Sequence, residues 1–396
     1  MNVFEDLKLD SQLLTAIKKL GLTKPTQIQE KSIPSILEGK DLIGESATGS
    51  GKTLAFGCGI IKGVTPGEGL QALILTPTRE LAEQVKVVLN QISYQKNLSI
   101  IAVYGGVSIN PQIHDLSKAN VVVATPGRLL DHAQRGTINT SKIKLLVLDE
   151  ADRMLDMGFI DDVEKIIRLC PKNRQTLFFS ATISPQIKDL ANKYMTNPVN
   201  VSATKYVDPS KLKQVYYNIP RNLKLSLLVH LFQYEDYGLI MIFCNTRKTV
   251  DFVVKNLKAN KVSAIAIHGG LTQNKRTRTM ELFNKGKVDA LVCTDVAARG
   301  LDVGGISHIC NYDIPNDPND YVHRIGRTAR AGEKGKVINL VGDKDYGNFS
   351  RILDEYRTFS IERVEKPQLE RIVFINPSFN NQRRPMRRKQ SYNGHN

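Results

Sequence analysis

The chain is predicted to be an α/β protein of two doubly wound parallel-sheet lobes joined by a short linker, on three observations. Short apolar runs recur along it, each ending in a polar or glycine-containing turn. Most are separated by stretches long enough for a crossover helix, such as Arg79 to Asn90. The whole arrangement then occurs a second time in the C-terminal half. A continuous apolar run reads as a strand buried on both faces, and strands alternating with helices imply βαβ units and a parallel sheet.

In the first half the runs are Asp41-Leu-Ile-Gly44, Ala72-Leu-Ile-Leu-Thr76, Ser99-Ile-Ile-Ala-Val-Tyr104, Val121-Val-Val-Ala-Thr125, Leu145-Leu-Val-Leu148 and Thr176-Leu-Phe-Phe-Ser180. In the second they are Leu239-Ile-Met-Ile-Phe243, Ala264-Ile-Ala-Ile-His268, Ala290-Leu-Val-Cys-Thr294, Ser307-His-Ile-Cys-Asn311 and Val337-Ile-Asn-Leu-Val341. The polar segment SATKYVDPSKLK divides them. The expected domains are a first lobe over 1–203, a linker over 204–213, a second lobe over 214–370 and a basic, disordered tail over 371–396. The tail lacks apolar periodicity.

The chain has 396 residues with 41% hydrophobic and 24% charged content, ordinary for a globular protein. Its net charge is +16. The tail carries six basic residues and no acid, which leaves +10 on the rest, so the basic balance is not only a tail effect. A polyanionic partner is favoured, usually nucleic acid. The five cysteines are scattered with no CxxC pair, which reads as reduced thiols rather than a disulfide framework or a zinc site. No secretory signal is evident and no apolar run approaches the ~20 residues of a membrane span, so a cytoplasmic location without membrane attachment is expected.

Two stretches carry chemistry. Ser46-Ala-Thr-Gly-Ser-Gly-Lys-Thr53 follows the first strand and should open a helix. Its glycines let the backbone close round a phosphate while the helix N-terminus directs N–H groups and a positive dipole at it. Lys52 would reach the β/γ-phosphates and Thr53 would ligate Mg²⁺. The general pattern GxxxxGK[ST] has Gly where Ser46 stands. The second stretch, Leu145-Leu-Val-Leu-Asp-Glu-Ala-Asp152, puts three acids at a strand end, where open α/β sheets bind ligands. With a triphosphate on Lys52 and Thr53, Asp149 completes the Mg²⁺ shell and Glu150 polarises the attacking water. A solvated acidic turn would leave the alignment of both motifs at strand ends unexplained.

With DEAD beside ATGSGKT, the chain resembles a DEAD-box ATP-dependent RNA helicase over nearly all of residues 1–370. The resemblance implies two RecA-like lobes, ATP and Mg²⁺ as cofactors, and RNA as partner. Phe4 and Gly21-Leu-Thr-Lys-Pro-Thr-Gln-Ile-Gln29 resemble the family's Q motif, in which Gln29 would read the adenine edge. The phosphate loop then comprises Ser46, Ala47, Thr48, Gly49, Ser50, Gly51, Lys52 and Thr53. Arg79 of PTREL, Gly105-Gly106, and Thr125 and Arg128 of TPGR match RNA-gripping elements, as do Asn245, Gln273, Arg276 and Thr294 in the second lobe. Asp152, Ser180, Thr182 and His323 would couple ATP to RNA, and Asp302 would bind the ribose. Arg327 and Arg330 would act as arginine fingers on the γ-phosphate. Leu22 stands where the family commonly has an aromatic, and Ala329 where it commonly has glycine.

Read from the residues alone, Pro77, Gly105 and Pro126 each begin where a strand ends. Pro126 follows Thr125 as N1 follows N-cap, and free helix N–H groups with Arg79 and Arg128 can grip a sugar-phosphate backbone without reading bases. Routine capping and turn chemistry is the alternative for each motif taken alone, and a surface ion-pair face is the alternative for the RxxR pair. The expected activity is RNA-stimulated ATP hydrolysis coupled to lobe closure and local, sequence-independent unwinding by a monomer. An ATP-gated RNA clamp with little unwinding, or a DNA helicase, remain rivals. The tail's Arg383-Arg384 and Arg387-Arg-Lys389 would tether RNA or merely solubilise.

Overall fold

The computed structural model describes residues 3–47, 49–203, 212–298, 301, 303–329 and 334–375. In the first lobe the strands are β1 (Leu42–Glu45), β2 (Ala72–Leu75), β3 (Ile100–Val103), β4 (Val121–Ala124), β5 (Leu145–Asp149), β6 (Gln175–Ser180) and β7 (Val199–Ser202). They form one sheet in the order β3-β4-β2-β5-β6-β1-β7, with every pairing parallel. The second lobe contributes β8 (Leu212–Asn218), β9 (Leu239–Phe243), β10 (Ala264–Ile267), β11 (Ala290–Cys293), β12 (Ile306–Asn311), β13 (Gly335–Val341) and β14 (Ile361–Val364). Their order is β10-β11-β9-β12-β13-β8-β14, again all parallel. Strand for strand this is the first lobe's order, so the repeat legible in the sequence is a repeat of topology.

Alternation explains the buried sheets. Leu145 and Val147 of β5 point into the core on one face, Leu146 and Leu148 into the core on the other. Met241 with Phe243 and Ile240 with Ile242 divide β9 in the same way. Each sheet therefore needs helices on both sides, and each parallel crossover carries the chain back so that loops after the strands collect at one edge.

Three strands escape the apolar-run criterion. β7 and β14 are sheet edges, where polar Asn200, Ser202, Glu362 and Arg363 face outward. β8 lies inside the sheet, yet it reads LKQVYYN because its buried Gln214 accepts a hydrogen bond from the Tyr321 hydroxyl at 2.7 Å. It starts at Leu212, two residues inside the segment expected to connect the lobes. The expected tail also needs correction. Residues 371–375 are ordered against the helix Arg247–Ala259, where Asn256 and Asn260, one turn apart, each bond both ways with the extended backbone. Residues 376–396, with the arginine clusters, lie outside the described residues.

Candidate active site and RNA cleft

Just past the end of β1, Ser46 N–H donates to Ser180 O at 2.9 Å. The chain then loops into the helix Lys52–Gly63. Gly49 and Gly51 take φ of 80° and 91°, where a side chain is strained, and a Cβ on Gly51 would collide with the Gln29 amide. Ser46 is not among the positive-φ residues, so the pattern's first glycine is dispensable here. Its hydroxyl instead bonds Ser50 Oγ at 2.9 Å. The Lys52 ammonium is buried and donates to Ser46 O at 3.3 Å, a weak contact that a phosphate oxygen can replace. Gln29 accepts from Thr26 N–H at 2.9 Å and donates to Gly51 O at 3.0 Å, which ties the Q motif to the phosphate loop. Phe4 is a core residue and Leu22 is exposed. Thr48 lies outside the described residues.

Opposite this loop, β5 delivers Asp149, whose carboxylate is buried and accepts the Glu150 N–H at 3.0 Å. Glu150 itself has φ 53°, ψ 50°, a left-handed conformation that turns the chain sharply into the helix Ala151–Asp156. Burial pushes the Asp149 carboxyl up to about 6, with the charge of Lys52 pulling the other way and that of Glu150 adding to the rise. Burial makes the charged form costly, and a divalent ion bound beside it would relieve that cost. Among the described residues no group of three or more His, Cys, Asp or Glu could hold a metal, so an ion here would take Asp149, the Thr53 hydroxyl, phosphate oxygens and water. That sparse oxygen set suits Mg²⁺, which keeps several waters.

A pH dependence follows. The folded carboxyl titrates above its unfolded value of 3.8, so its ionisation costs stability progressively from about pH 4 to 6, and the cost is complete above that. Cation binding needs the ionised form. Below pH 6 the affinity for the Mg²⁺–nucleotide complex should fall roughly tenfold per unit, with about one proton released on binding near pH 5.5. Calorimetry in two buffers of different ionisation enthalpy reads that proton, and Asp149→Asn should abolish it.

Asp152, Ser180 and Thr182, the first-lobe residues expected to couple ATP to RNA, form one network. Asp152 Oδ2 accepts from Ala181 N at 3.2 Å, Thr182 N at 3.0 Å and Thr182 Oγ1 at 3.2 Å. Ser180 Oγ accepts Asp152 N–H at 3.2 Å and donates to Thr182 O at 2.7 Å. His323 lies across the lobe boundary in a small cavity with Arg153, Asp295, Asp320, Arg324 and Arg327. Arg327 is buried, and its Nη1 donates to Leu301 O at 2.7 Å. Ala329 takes φ 53°, which accounts for the glycine usual in the family and costs an alanine about 1 kcal/mol. Asp302 and Arg330 lie outside the described residues.

A cleft of about 520 Å³ runs between the lobes. Arg79, Gly105, Thr125 and Arg128 line it from the first lobe, Gln273 and Arg276 from the second. Gly106, at φ 80°, holds a conformation that strains a side chain, and a Cβ there would have to displace the Arg79 guanidinium packed against it. Pro126 is N1 of the helix Pro126–Gln134, and the Thr125 side chain makes no capping bond, which leaves first-turn N–H groups for a ligand. Arg128 donates from Nη2 to Val107 O at 3.0 Å, while its buried Nη1 has no partner.

The second-lobe candidates make further bonds. Arg276 Nε and Gln273 Nε2 both donate to Glu80 Oε1, at 2.7 and 3.3 Å, so these two residues bind the first lobe as well as lining the cleft. Asn245 stands apart from it. Its amide donates to Ile314 O and accepts from Arg324 Nη2. Thr294 is not among the described residues lining the cleft, and its carbonyl accepts from Ala297 and Ala298 N–H. Sequence reasoning gave no role to Glu80, Arg153, Asp295, Asp320 and Arg324: Glu80 and Arg153 find partners in the other lobe, Arg276 and Asp320, and Arg324 pairs with Asp295 across 29 residues.

The DEAD/DEAH box helicase family model matches residues 26–190, and that of the helicase conserved C-terminal domain matches residues 223–332. An ATP-dependent RNA helicase CshA of Listeria monocytogenes is 43% identical over 93% of this chain and 71% of its own. The chain belongs to the DEAD/DEAH box helicase family. It is an ATP-dependent RNA helicase, an ATP-hydrolysing enzyme with a two-lobe RecA-like core. Saccharomyces cerevisiae Dbp5 bound to RNA and ADP BeF3 superposes with a TM-score of 0.85 at 33% identity, covering 92% of the helicase and 96% of that chain. For a point variant of Dbp5 bound to Nup159, Gle1, IP6 and ADP the score is 0.65 at 32% identity, covering 91% and 96%. Over the whole chain the helicase therefore superposes better on Dbp5 with RNA and ADP BeF3 than on the variant with Nup159, Gle1, IP6 and ADP, at nearly equal identity and coverage.

Proposed function

We propose that the helicase hydrolyses ATP only when RNA draws its lobes together, and that closure strains and locally separates a duplex without reading its sequence. The observation that carries this reading is that the cleft gathering the cationic motifs is built from both lobes, in the same arrangement that seats the helix before Arg327 against the helix that follows the acids. RNA lying in the cleft therefore favours the geometry that hydrolysis needs. Residues 1–203 act as the nucleotide lobe and 214–370 as its partner, joined through 204–213.

In this reading Gln29 faces adenine, Asp302 the ribose, and the loop 46–53 with Lys52 the phosphates. Mg²⁺, when bound on Thr53 and Asp149, supplies neutralising charge. Glu150 accepts the proton of the attacking water. Arg327, exchanging the Leu301 carbonyl for phosphate, and Arg330 stabilise the charge that develops on the γ-phosphate. Asp152, Ser180, Thr182 and His323 pass lobe closure to the acids. Arg79, Gly105, Gly106, Thr125 and Arg128 hold the sugar-phosphate backbone, with Gln273, Arg276, Asn245 and Thr294 supporting the second lobe's share. The enzyme acts as a cytoplasmic monomer. Its five buried thiols suit a reducing compartment, and no helix among the described residues is long and apolar enough to cross a membrane.

The test is ATP hydrolysis with and without single-stranded RNA, alongside displacement of a short duplex. An arginine finger supplies ~10³–10⁵ in related enzymes, so RNA should stimulate hydrolysis by at least ~10², and less as salt rises. Hydrolysis indifferent to RNA would overturn the coupling. Stimulation without displacement would favour an RNA clamp, and equal activation by DNA would remove the RNA preference.

A further inference from the structure

We infer that Arg153 and Asp320 form a latch that selects the hydrolytically competent closed state, acting as positioning residues for the acids and for Arg327. The inference rests on the proposed coupling between RNA, closure and hydrolysis. Arg153 Nη1 donates to Asp320 Oδ1 across the lobe boundary at 2.8 Å and to Asp156 Oδ2 within its own helix at 3.0 Å. The Arg153 side chain is 3% exposed and that of Asp320 is 18% exposed.

The two ends of this pair are placed where closure matters. Arg153 belongs to the helix that begins straight after Glu150, and its N–H donates to Asp152 Oδ1 at 3.0 Å, within the network that holds Thr182. Asp320 lies in the first turn of the helix Pro318–Ile325, which carries His323 and Arg324 and runs out through Gly326 to Arg327. One ion pair thus joins the element that aims the water-activating acid to the element that brings the arginine.

Its electrostatics favour selectivity over strength. In the closed form Arg153 is desolvated, and its Nη2 is buried without a partner. Opening the lobes would rehydrate it. A desolvated pair gives little net stabilisation, but removing one member leaves a charge that resists burial. A closed arrangement out of register by an ångström or two would take from Arg153 its nearest acid, Asp320, which does most to offset its desolvation, and leave it only Asp152, Asp156 and Glu150 of its own lobe. The pair therefore penalises misregistered closure more than it rewards closure itself.

The experiment compares wild type, Arg153→Gln, Asp320→Asn and the double variant. RNA affinity is measured with no nucleotide and with a non-hydrolysable ATP analogue, and RNA-stimulated kcat is measured with ATP. Either single variant should lose about 10- to 100-fold in stimulated kcat and in the analogue-induced tightening of RNA binding, by the cost of breaking a buried pair. Nucleotide-free RNA affinity and the thermal unfolding midpoint should not move, because the pair is not needed in the open state. The double variant should be no worse than the worse single one, the signature of residues that act through each other. Single variants that close and hydrolyse like wild type would overturn the latch, as would effects that simply multiply. A fall in nucleotide-free RNA affinity or in the unfolding midpoint would also overturn it, by showing a structural role. If wild type itself shows no RNA stimulation, the proposed coupling fails and the latch with it; an intact wild-type response beside unaffected variants removes the latch alone.

Discussion

Glu150→Gln is expected to reduce RNA-stimulated ATP hydrolysis by at least ~10², the scale of a lost general base in a positioned site, while nucleotide and RNA still bind. The substitution keeps the side chain's length and volume. It also keeps the left-handed backbone at φ 53°, whose cost Gln and Glu share. What it removes is the carboxylate that accepts a proton from water. Binding should survive because the phosphates are held by the loop after β1 and by Lys52, whose ammonium is anchored on Ser46 O within that same loop. With chemistry blocked and closure intact, the variant should hold ATP and RNA together and release RNA more slowly than wild type. Single-turnover hydrolysis and RNA dissociation measured on one preparation check both halves. A variant that hydrolyses at the wild-type rate would move water activation away from Glu150. One that neither hydrolyses nor retains RNA would mean that Glu150 supports closure rather than chemistry.

The sequence made much of this site legible because its central parts are local. A phosphate loop needs glycine at φ 80° and 91° and a lysine on the first helical turn, all within a few residues of one strand end. The acid motif ends a strand whose four preceding residues are apolar on both faces. What stayed hidden is of two kinds. Edge strands β7 and β14 bury too little to leave an apolar run, and β8 conceals a buried glutamine that only Tyr321 explains. Residues whose partners lie in the other lobe give no local pattern: Glu80 reads as an ordinary acid of a helix's first turn until Arg276 is found 196 residues away. Asn245 shows a second kind of hidden contact. Its motif match suggests RNA, and nothing in that motif reveals that its amide also bonds Ile314 and Arg324 within the lobe.

Arg324→Met should destabilise the second lobe by about 3–5 kcal/mol, the cost of breaking a buried, hydrogen-bonded ion pair. The guanidinium is 1% exposed. It meets Asp295 through two parallel bonds, Nε to Oδ1 at 2.6 Å and Nη2 to Oδ2 at 2.7 Å. Nη1 reaches Asn311 Oδ1 at 3.0 Å and Asp313 O at 2.7 Å, Nη2 also reaches Asn245 Oδ1 at 3.0 Å, and the Phe243 ring lies against its face. This one side chain therefore ties together the loops that follow β9, β11 and β12. Methionine fills the volume but satisfies none of those acceptors, and Asp295 becomes a lone charge beside apolar core. Lysine keeps the charge and makes at most three bonds from a point, without the planar fork, so Arg324→Lys should recover only part of the loss. Urea unfolding followed by far-UV circular dichroism measures the difference. Because Arg324 sits between His323 and the turn to Arg327, the same variant should also lose hydrolysis at temperatures where the first lobe still binds nucleotide. Full stability in Arg324→Met would mean that the Asp295 and Asn245 loops are held by the sheet alone, and the order of the helix Pro318–Ile325 would then have to come from Tyr321 and its bond to Gln214.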